Sequence, residues 1–296
     1  MSAISIEKYD PEIGYCMLCG SNLIEMYLVD FRGNQIFRCK NCGVQFMNPQ
    51  YTDEYLGDFY SRYFHEGVST QQMRERIGLF KSYLATIEKY TGVGSMLDIG
   101  CGDGHFMEAA MQKGWDVEGY DVDEDNVTKV SERLRVCIQS GDFLQANYLE
   151  NSYDLIVMHQ VLEHLKNPIG YLRRVSRLLR EDGIVFIAVP NIASVSAALK
   201  RYLELRGFRK RKKGSYYDTD HHMWYFTPGV LNDVLRLNGF EVIYSRGCHR
   251  VRAEDSKLKE LIKEHLWERF MLNSTFYVVA KCLRAPEKNE NVFGRK

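Results

Sequence analysis

Two periods of apolar residues divide this chain. Between Asn22 and Cys39 the segments NLIEMYLVD and QIFRC alternate apolar and polar positions around FRGN, the pattern of a β-hairpin. Residues 48–72 are rich in tyrosine and polar side chains with no clear period and predict a connection with aromatic anchors. From Met73 the spacing becomes helical through Ile77, Phe80, Leu84 and Ile87 to Tyr90, where Thr91 and Gly92 end the run.

After Ser95 the periods alternate. MLDIG, DVEGYDVD, VCIQ, YDLIVMH and GIVFIAVP predict strands; HFMEAAMQKG, DEDNVTKVSERL and NPIGYLRRVSRLLREDG predict helices between them. A further helix starts at Thr227 and Pro228 and ends at Gly239, and FEVIYSRG and STFYVVAKCL supply two last strands. Such alternation gives an α/β fold with a mostly parallel, doubly wound sheet, whose ligands bind outside the carboxyl ends of the strands.

Composition narrows the class. The chain has 296 residues, 45% of them hydrophobic and 26% charged, as in globular proteins. Its 39 basic and 39 acidic side chains cancel, so no global field draws it to nucleic acid or anionic lipid. MSAISIEKYDPEIGY lacks the pattern of a secretory signal, and no run of apolar residues is long enough to span a bilayer, so a cytoplasmic protein is expected.

Four of the eight cysteines form two C-x-x-C pairs, Cys16 with Cys19 and Cys39 with Cys42, with a glycine after each at Gly20 and Gly43. This spacing is the ligand set of a four-thiolate zinc ribbon, and a closed tetrahedral site makes the expected Zn2+ structural.

The stretch MLDIGCGDGHF places Gly100, Gly102 and Gly104 just after the first parallel strand, where backbone must approach a ligand closely. The spacing is G-x-G-x-G rather than the dinucleotide G-x-G-x-x-G, and Asp98 precedes it. A carboxylate there suits an ammonium better than a pyrophosphate. Asp121 ends the second strand, where it can accept from ribose hydroxyls, and Asp142 and Phe143 follow the third, offering an acceptor for an exocyclic amine and a ring for a base. Ammonium, ribose and adenine together describe S-adenosylmethionine.

Residues 95–245 resemble the class I S-adenosylmethionine-dependent methyltransferases, through LDIGCGDG, EGYDVD, GDF, YDLIVMHQVLEHLKNP and GIVFIAVPN. The resemblance implies a Rossmann-like seven-stranded sheet with an antiparallel last strand. It also implies that Asp98 and Gly100 face the methionine part of the cofactor, Asp121 the ribose, Asp142 and Phe143 the adenine, and that His159 lies beneath the sulfonium. With its ribbon and NPQY, the chain is similar to methyltransferases of sugars and surface polysaccharides. Sugar C-methyltransferases of that group usually carry a further C-terminal domain that has no counterpart before Lys296, which leaves O-methylation of a sugar or a nucleotide- or lipid-linked saccharide at least as well supported.

The expected division is a ribbon at 1–50, a linker and leading helix at 51–91, a methyltransferase domain at 92–285 with an insertion at 195–226, and a tail at 286–296. A hydroxyl acceptor benefits from a general base, and histidine suits this role near neutral pH. His159, His164, His221 and His222 are the candidates; His164 in VLEHL and His222 in DTDHHMWYF are preferred, with Tyr225 lining the acceptor site. The run KRYLELRGFRKRKKG, within a partly amphipathic stretch, fits an anionic membrane surface, at the inner face of the cell membrane, or a phosphorylated acceptor. An RNA or protein methyltransferase is the competing class. The ribbon has only Arg32 and Arg38 as basic residues between Cys19 and Cys39, and the fourth strand is followed by HQVLEH rather than an N-P-P-Y type of motif, which argues against nucleic acid.

Overall fold

A computed structural model describes residues 7–63, 69–208, 212–248 and 268–283. The expected tail at 286–296 and the centre of the basic run at 209–211 lie outside the described residues.

The chain begins with an antiparallel ribbon of β1 (Ile24–Val29), β2 (Gln35–Cys39) and β3 (Gln45–Met47). Helix α1 (Asp53–Tyr63) follows, within the stretch expected to be a plain connection. Its start is local chemistry: the Thr52 hydroxyl accepts from the Tyr55 N–H at 3.2 Å, and Asp53 and Glu54 sit in the first turn, where the helix dipole favours negative charge. Helix α2 (Thr70–Ile87) opens on a capping box between Ser69 and Gln72 and buries Ile77, Phe80, Tyr83, Leu84 and Ile87, the periodic face read from sequence.

The main domain runs β4 (Ser95–Ile99), α3 (His105–Met111), β5 (Asp116–Tyr120), α4 (Glu124–Leu134), β6 (Ile138–Gln139), β7 (Tyr153–His159), α5 (Pro168–Leu178), β8 (Leu179–Pro190), α6 (Val195–Leu205), β9 (Trp224–Tyr225), α7 (Pro228–Leu237), β10 (Phe240–Gly247) and β11 (Thr275–Cys282). Seven strands form one sheet in the order β10-β11-β8-β7-β4-β5-β6. The pairs from β8 through β6 are parallel, and β11 is antiparallel to both neighbours. This is the expected Rossmann-like sheet with its antiparallel last strand.

Alternation along the strands sorts the core into two layers. Leu97, Ile99, Ile156, Met158, Val185 and Ile187 face α5, α7 and the ribbon, whereas Met96, Leu155, Val157, Ile184 and Phe186 face α2 and α3. Both faces of the central strands are covered, so these strands read as nearly continuous apolar runs.

Two details differ from the sequence expectation. The helix expected over 167–183 ends at Leu178, because Leu179 already pairs with Tyr153 and LREDG enters the long strand β8. The second is β9, a strand within the expected insertion at 195–226 that joins the ribbon: Trp224 pairs with Phe46 and Tyr225 with Gln45. The ribbon sheet is thus completed, as β1-β2-β3-β9, by residues far downstream. The Phe46 and Trp224 rings stack at 5.4 Å, the Trp224 indole N–H donates to the Leu165 carbonyl at 2.7 Å, and one apolar cluster runs from Cys16, Ile36 and Phe46 into the main domain.

Candidate functional site

The turn from β4 into α3 carries the glycine loop. Gly100, Gly102 and Gly104 all have positive φ, at 71°, 49° and 70°. A Cβ on Gly100 would lie 2.5 Å from Val161, and one on Gly104 2.5 Å from Val130, so these positions need glycine for both conformation and space. Asp98, on β4 just before the loop, is 2% exposed, and its Oδ2 has no hydrogen-bond partner. Burial, and then the negative charge of Asp121, push its pKa well up. An unsatisfied buried carboxylate costs about 1–3 kcal/mol, more if charged, and an ammonium placed there would remove that cost.

Asp121, immediately after β5, is 4% exposed; its Oδ2 accepts from the Gly102 N–H at 2.8 Å and its Oδ1 from the Asp123 N–H at 3.1 Å. Asn126 donates to the Gly102 carbonyl at 2.8 Å, so the loop is bound to the start of α4, beside the end of β5. Asp142 accepts from the Leu144 N–H and the Gln145 side chain. Phe143 is placed differently from the expectation: it is wholly buried, stacked on Tyr171 with centroids 4.8 Å apart, and its ring presents no free face to an adenine. The YDLIVMH strand ends at His159, whose ring meets Phe80 edge-on at 5.1 Å, with Phe106 at 6.5 Å. Gln160 follows at φ 58°, and its side-chain Nε2 is a buried donor without a hydrogen-bond partner. Sequence reading missed Gln160; a non-glycine residue in the left-handed region carries no composition signal.

Beyond Gln160 the chain packs Val161 against Gly100 and leads into a short helical turn holding Glu163 and His164. Here three histidines meet. His164 and His221 rings are stacked, with centroids 4.8 Å apart and planes within 7°, and His222 stands edge-on to both, at 4.7 and 4.6 Å. Helix α1 closes the cluster: Phe59 stacks on His221 at 5.0 Å, and Tyr60 Oη lies 3.1 Å from His164 Nδ1. That nitrogen is also 3.2 Å from the His221 carbonyl, which can only accept, so the proton sits on Nδ1 and the lone pair on Nε2. Tyr60 was not singled out in the sequence, where it was one tyrosine among several; the spacing of Leu56 and Tyr60 is the helical signal that could have marked it.

Burial sets the charges. It lowers the pKa of His164, with the neighbouring histidines adding to the effect, takes His222 down to about 4 and lowers His221. Glu163 is fully buried with neither oxygen hydrogen-bonded, its Oε1 3.8 Å from His164 Nε2, and desolvation raises it to about 8. At neutral pH the cluster is three neutral imidazoles beside a protonated carboxyl, a set of proton acceptors. Each of the three histidines offers one ring nitrogen, and these atoms lie within 4.8 Å of one another.

The segment holding His221 and His222 is fixed by the ribbon. Thr219 donates its hydroxyl to the buried Asp30, accepts from Asn34 Nδ2 at 2.9 Å, and offers its carbonyl to Tyr51 Oη at 2.6 Å. Arg32 pairs with Asp220 at 2.7 Å. Tyr225 takes a supporting place instead of lining an acceptor site: it is buried, and its hydroxyl donates to the His222 carbonyl at 2.8 Å.

Within the ribbon, Cys16 and Cys42 sulfurs are 3.7 Å apart and those of Cys19 and Cys39 3.6 Å. Four sulfurs at about 2.3 Å from one ion are separated by about 3.8 Å, so the set has the size a zinc ion needs. Gly20 and Gly43, at φ 71° and 77°, turn their N–H groups back to the Cys16 and Cys39 carbonyls. A hydrogen bond from Cys16 is the main cause holding the Cys42 thiol down at about 5.

Among the described residues no helix is long and apolar enough to cross a membrane. The family profile described as "Methyltransferase domain" matches residues 69–245. The ubiquinone biosynthesis O-methyltransferase of Glaesserella parasuis is 34% identical over 106 residues, 32% of this chain and 45% of that protein. The protein of the same name from Roseobacter denitrificans is 29% identical over 182 residues, 57% of this chain and 68% of that one. The chain thus spans less than half the length of the first relative and about two thirds of the second. Among solved structures, the PH0226 protein of Pyrococcus horikoshii superposes with a TM-score of 0.53 at 16% identity, covering 76% of this chain and 98% of that one, which bears on the fold. Profile, sheet order, glycine loop and buried carboxylates agree: the chain belongs to the class I S-adenosylmethionine-dependent methyltransferases.

Proposed function

We propose that this protein methylates a hydroxyl oxygen of a small molecule or glycan, such as a sugar or a nucleotide- or lipid-linked saccharide, with His164 and His222 as the proton-accepting pair. The observation that carries the reading is the neutral histidine cluster, whose His164 lies one short helical turn past Val161, the side chain packed on Gly100 of the glycine loop. Asp98 would hold the ammonium, the glycine loop the methionine part and Asp121 the ribose hydroxyls, with Asp142 near the adenine.

S-adenosylmethionine supplies an already activated methyl group. The chain's own work is then to bind, to orient the nucleophile, and to take a proton. Alignment of the hydroxyl accounts for much of such an acceleration. A lone pair on a buried imidazole accepts the proton as the oxygen forms its new bond, an effect of about 10²–10⁴-fold in general base catalysis. The relatives named as ubiquinone biosynthesis O-methyltransferases support a small-molecule acceptor and oxygen as the methylated atom. The four ribbon thiolates would hold one structural Zn2+, leaving it no open coordination position.

The test is incubation with methyl-labelled cofactor and a metabolite extract of the host, followed by mass spectrometry. An O-methylated small molecule or saccharide is expected. Label recovered on RNA, on protein or at a carbon atom overturns the proposal.

A further inference from the structure

Helix α6 treats its apolar residues unlike its neighbours. Helix α5 buries Leu172, Val175 and Leu178, and α7 buries Val230, Leu231, Val234 and Leu235, whereas α6 buries Ala197 alone. Val195, Leu199 and Tyr202 fall at i, i+4 and i+7, on one side of the helix, and stand 39%, 56% and 52% exposed. Leu205 and Phe208 extend this row at its far end, 82% and 79% exposed.

The row has a basic border. Lys200, Arg201, Arg206, Lys212 and Lys213 flank it against the single acid Glu204, whose carboxylate is engaged by the Gly214 N–H. The Arg206 guanidinium lies over the Tyr202 ring, 5.3 Å from its centroid. Both ends of the segment are anchored. Ser194 caps the helix and Val195 donates to the Leu272 carbonyl, while the Lys213 carbonyl accepts from the N–H of Phe31 in the ribbon turn. The start of α6 and the backbone at Lys213 are thus tied to the rest of the fold.

We propose that α6 and the turn after it dock on an anionic lipid surface, with Leu199, Tyr202, Leu205 and Phe208 entering the interfacial layer and the flanking lysines and arginines meeting headgroup phosphates. Charge complementarity selects this occupant. A second copy of the chain would bring the same positive border against itself, and a purely electrostatic partner would leave the apolar row without a use. A convex helix with aliphatic and aromatic side chains outward and cations at its flanks matches the apolar-over-anionic layering of a membrane interface. The inference goes beyond the methyl transfer proposed above and does not depend on it.

The test is cosedimentation of the full chain with phosphatidylcholine vesicles made with or without phosphatidylglycerol. The protein is expected to sediment with the anionic vesicles and stay in solution with the neutral ones. The double variant L199D/L205D should bind about a hundredfold more weakly, and K200E/R201E/R206E by a similar factor. Calorimetric binding of S-adenosylmethionine should be unchanged in both, which shows that they fold. In Phe208→Trp, the indole emission should shift to the blue on anionic vesicles. Absence of sedimentation, absence of that shift, or binding that survives L199D/L205D overturns the proposal. So does retention of RNA that only the charge reversal abolishes, which would assign the face to nucleic acid.

Discussion

The cofactor end and the histidine end of this site are built in opposite ways. At the cofactor end, Asp98 and the three glycines come from one seven-residue stretch, and Asp121 directly follows the neighbouring strand β5. At the histidine end, Tyr60 comes from α1, His164 from the turn after β7, and His221 and His222 from a segment braced by Asp30, Asn34 and Tyr51 of the ribbon and its sequel. The first needs little beyond a strand–turn–helix unit. The second exists only when four distant segments are folded together, so it can be disturbed from a distance.

This contrast can be tested by breaking each end separately. The largest effect is expected for Asp98→Ala: in the proposed reading it removes the buried partner of an ammonium, at a cost of about 3–5 kcal/mol, so affinity for S-adenosylmethionine should fall by about a thousandfold in calorimetry. A loss under tenfold would remove Asp98 from cofactor binding. The unliganded variant should melt no earlier than the parent, because a carboxyl that burial raises, with its Oδ2 unpaired, is gone.

Next comes His222→Ala, expected to lower kcat by about a hundredfold while leaving cofactor affinity intact; His164→Ala, measured alongside, ranks the two imidazoles. Equal losses of cofactor binding and turnover would mean that the two ends are not separable.

A smaller effect is expected from the ribbon. Metal analysis should return one zinc per chain, and its removal by a chelator should reduce kcat about tenfold through loosening of the Thr219 brace, with cofactor affinity again unchanged. Thr219→Val should reproduce the kcat loss with zinc retained. If chelation leaves kcat untouched, the ribbon does not position the histidines.

The smallest effects concern pH. His222, at about 4 in the fold against an ordinary 6.5, makes the unfolded state bind the proton more readily between these values, so stability falls as pH drops from 6.5 toward 4. Glu163, raised to about 8 from 4.5, acts in the other direction: stability falls as pH rises from 4.5 toward 8. Glu163→Gln should therefore gain about 1–3 kcal/mol near pH 8 relative to the parent and leave the acid limb in place. Denaturant midpoints that move in parallel at both ends of the range would contradict this assignment.

How much was legible follows the same division. Helices α2 and α7 and the long strands of the large sheet are readable because burial on one face or both imposes a period that survives in the linear sequence, whereas the hairpin shows in its alternation around FRGN although β1 buries none of its residues. Helix α1 is hidden by tyrosines that serve contacts elsewhere, with Tyr51 and Tyr55 stacked on each other and Tyr60 edge-on to His164. Strand β9 has two residues and a partner at Gln45 and Phe46, so no local pattern could announce it. By residue type Phe143 and Tyr225 resemble ligand contacts; packing gives the first to Tyr171 and the second to the His222 backbone.

The sequence by itself determined the parallel sheet, the positive-φ glycine loop with its carboxylates, and the two thiol pairs. Each is announced by patterns local to a strand, a turn or a C-x-x-C pair, where covalent geometry leaves few alternatives. Only the tertiary structure decided that His164, His221 and His222 meet, that they are neutral, and that the ribbon is finished by β9 and braces them. Convergence and desolvation are properties of segments brought together, and no local spacing encodes them.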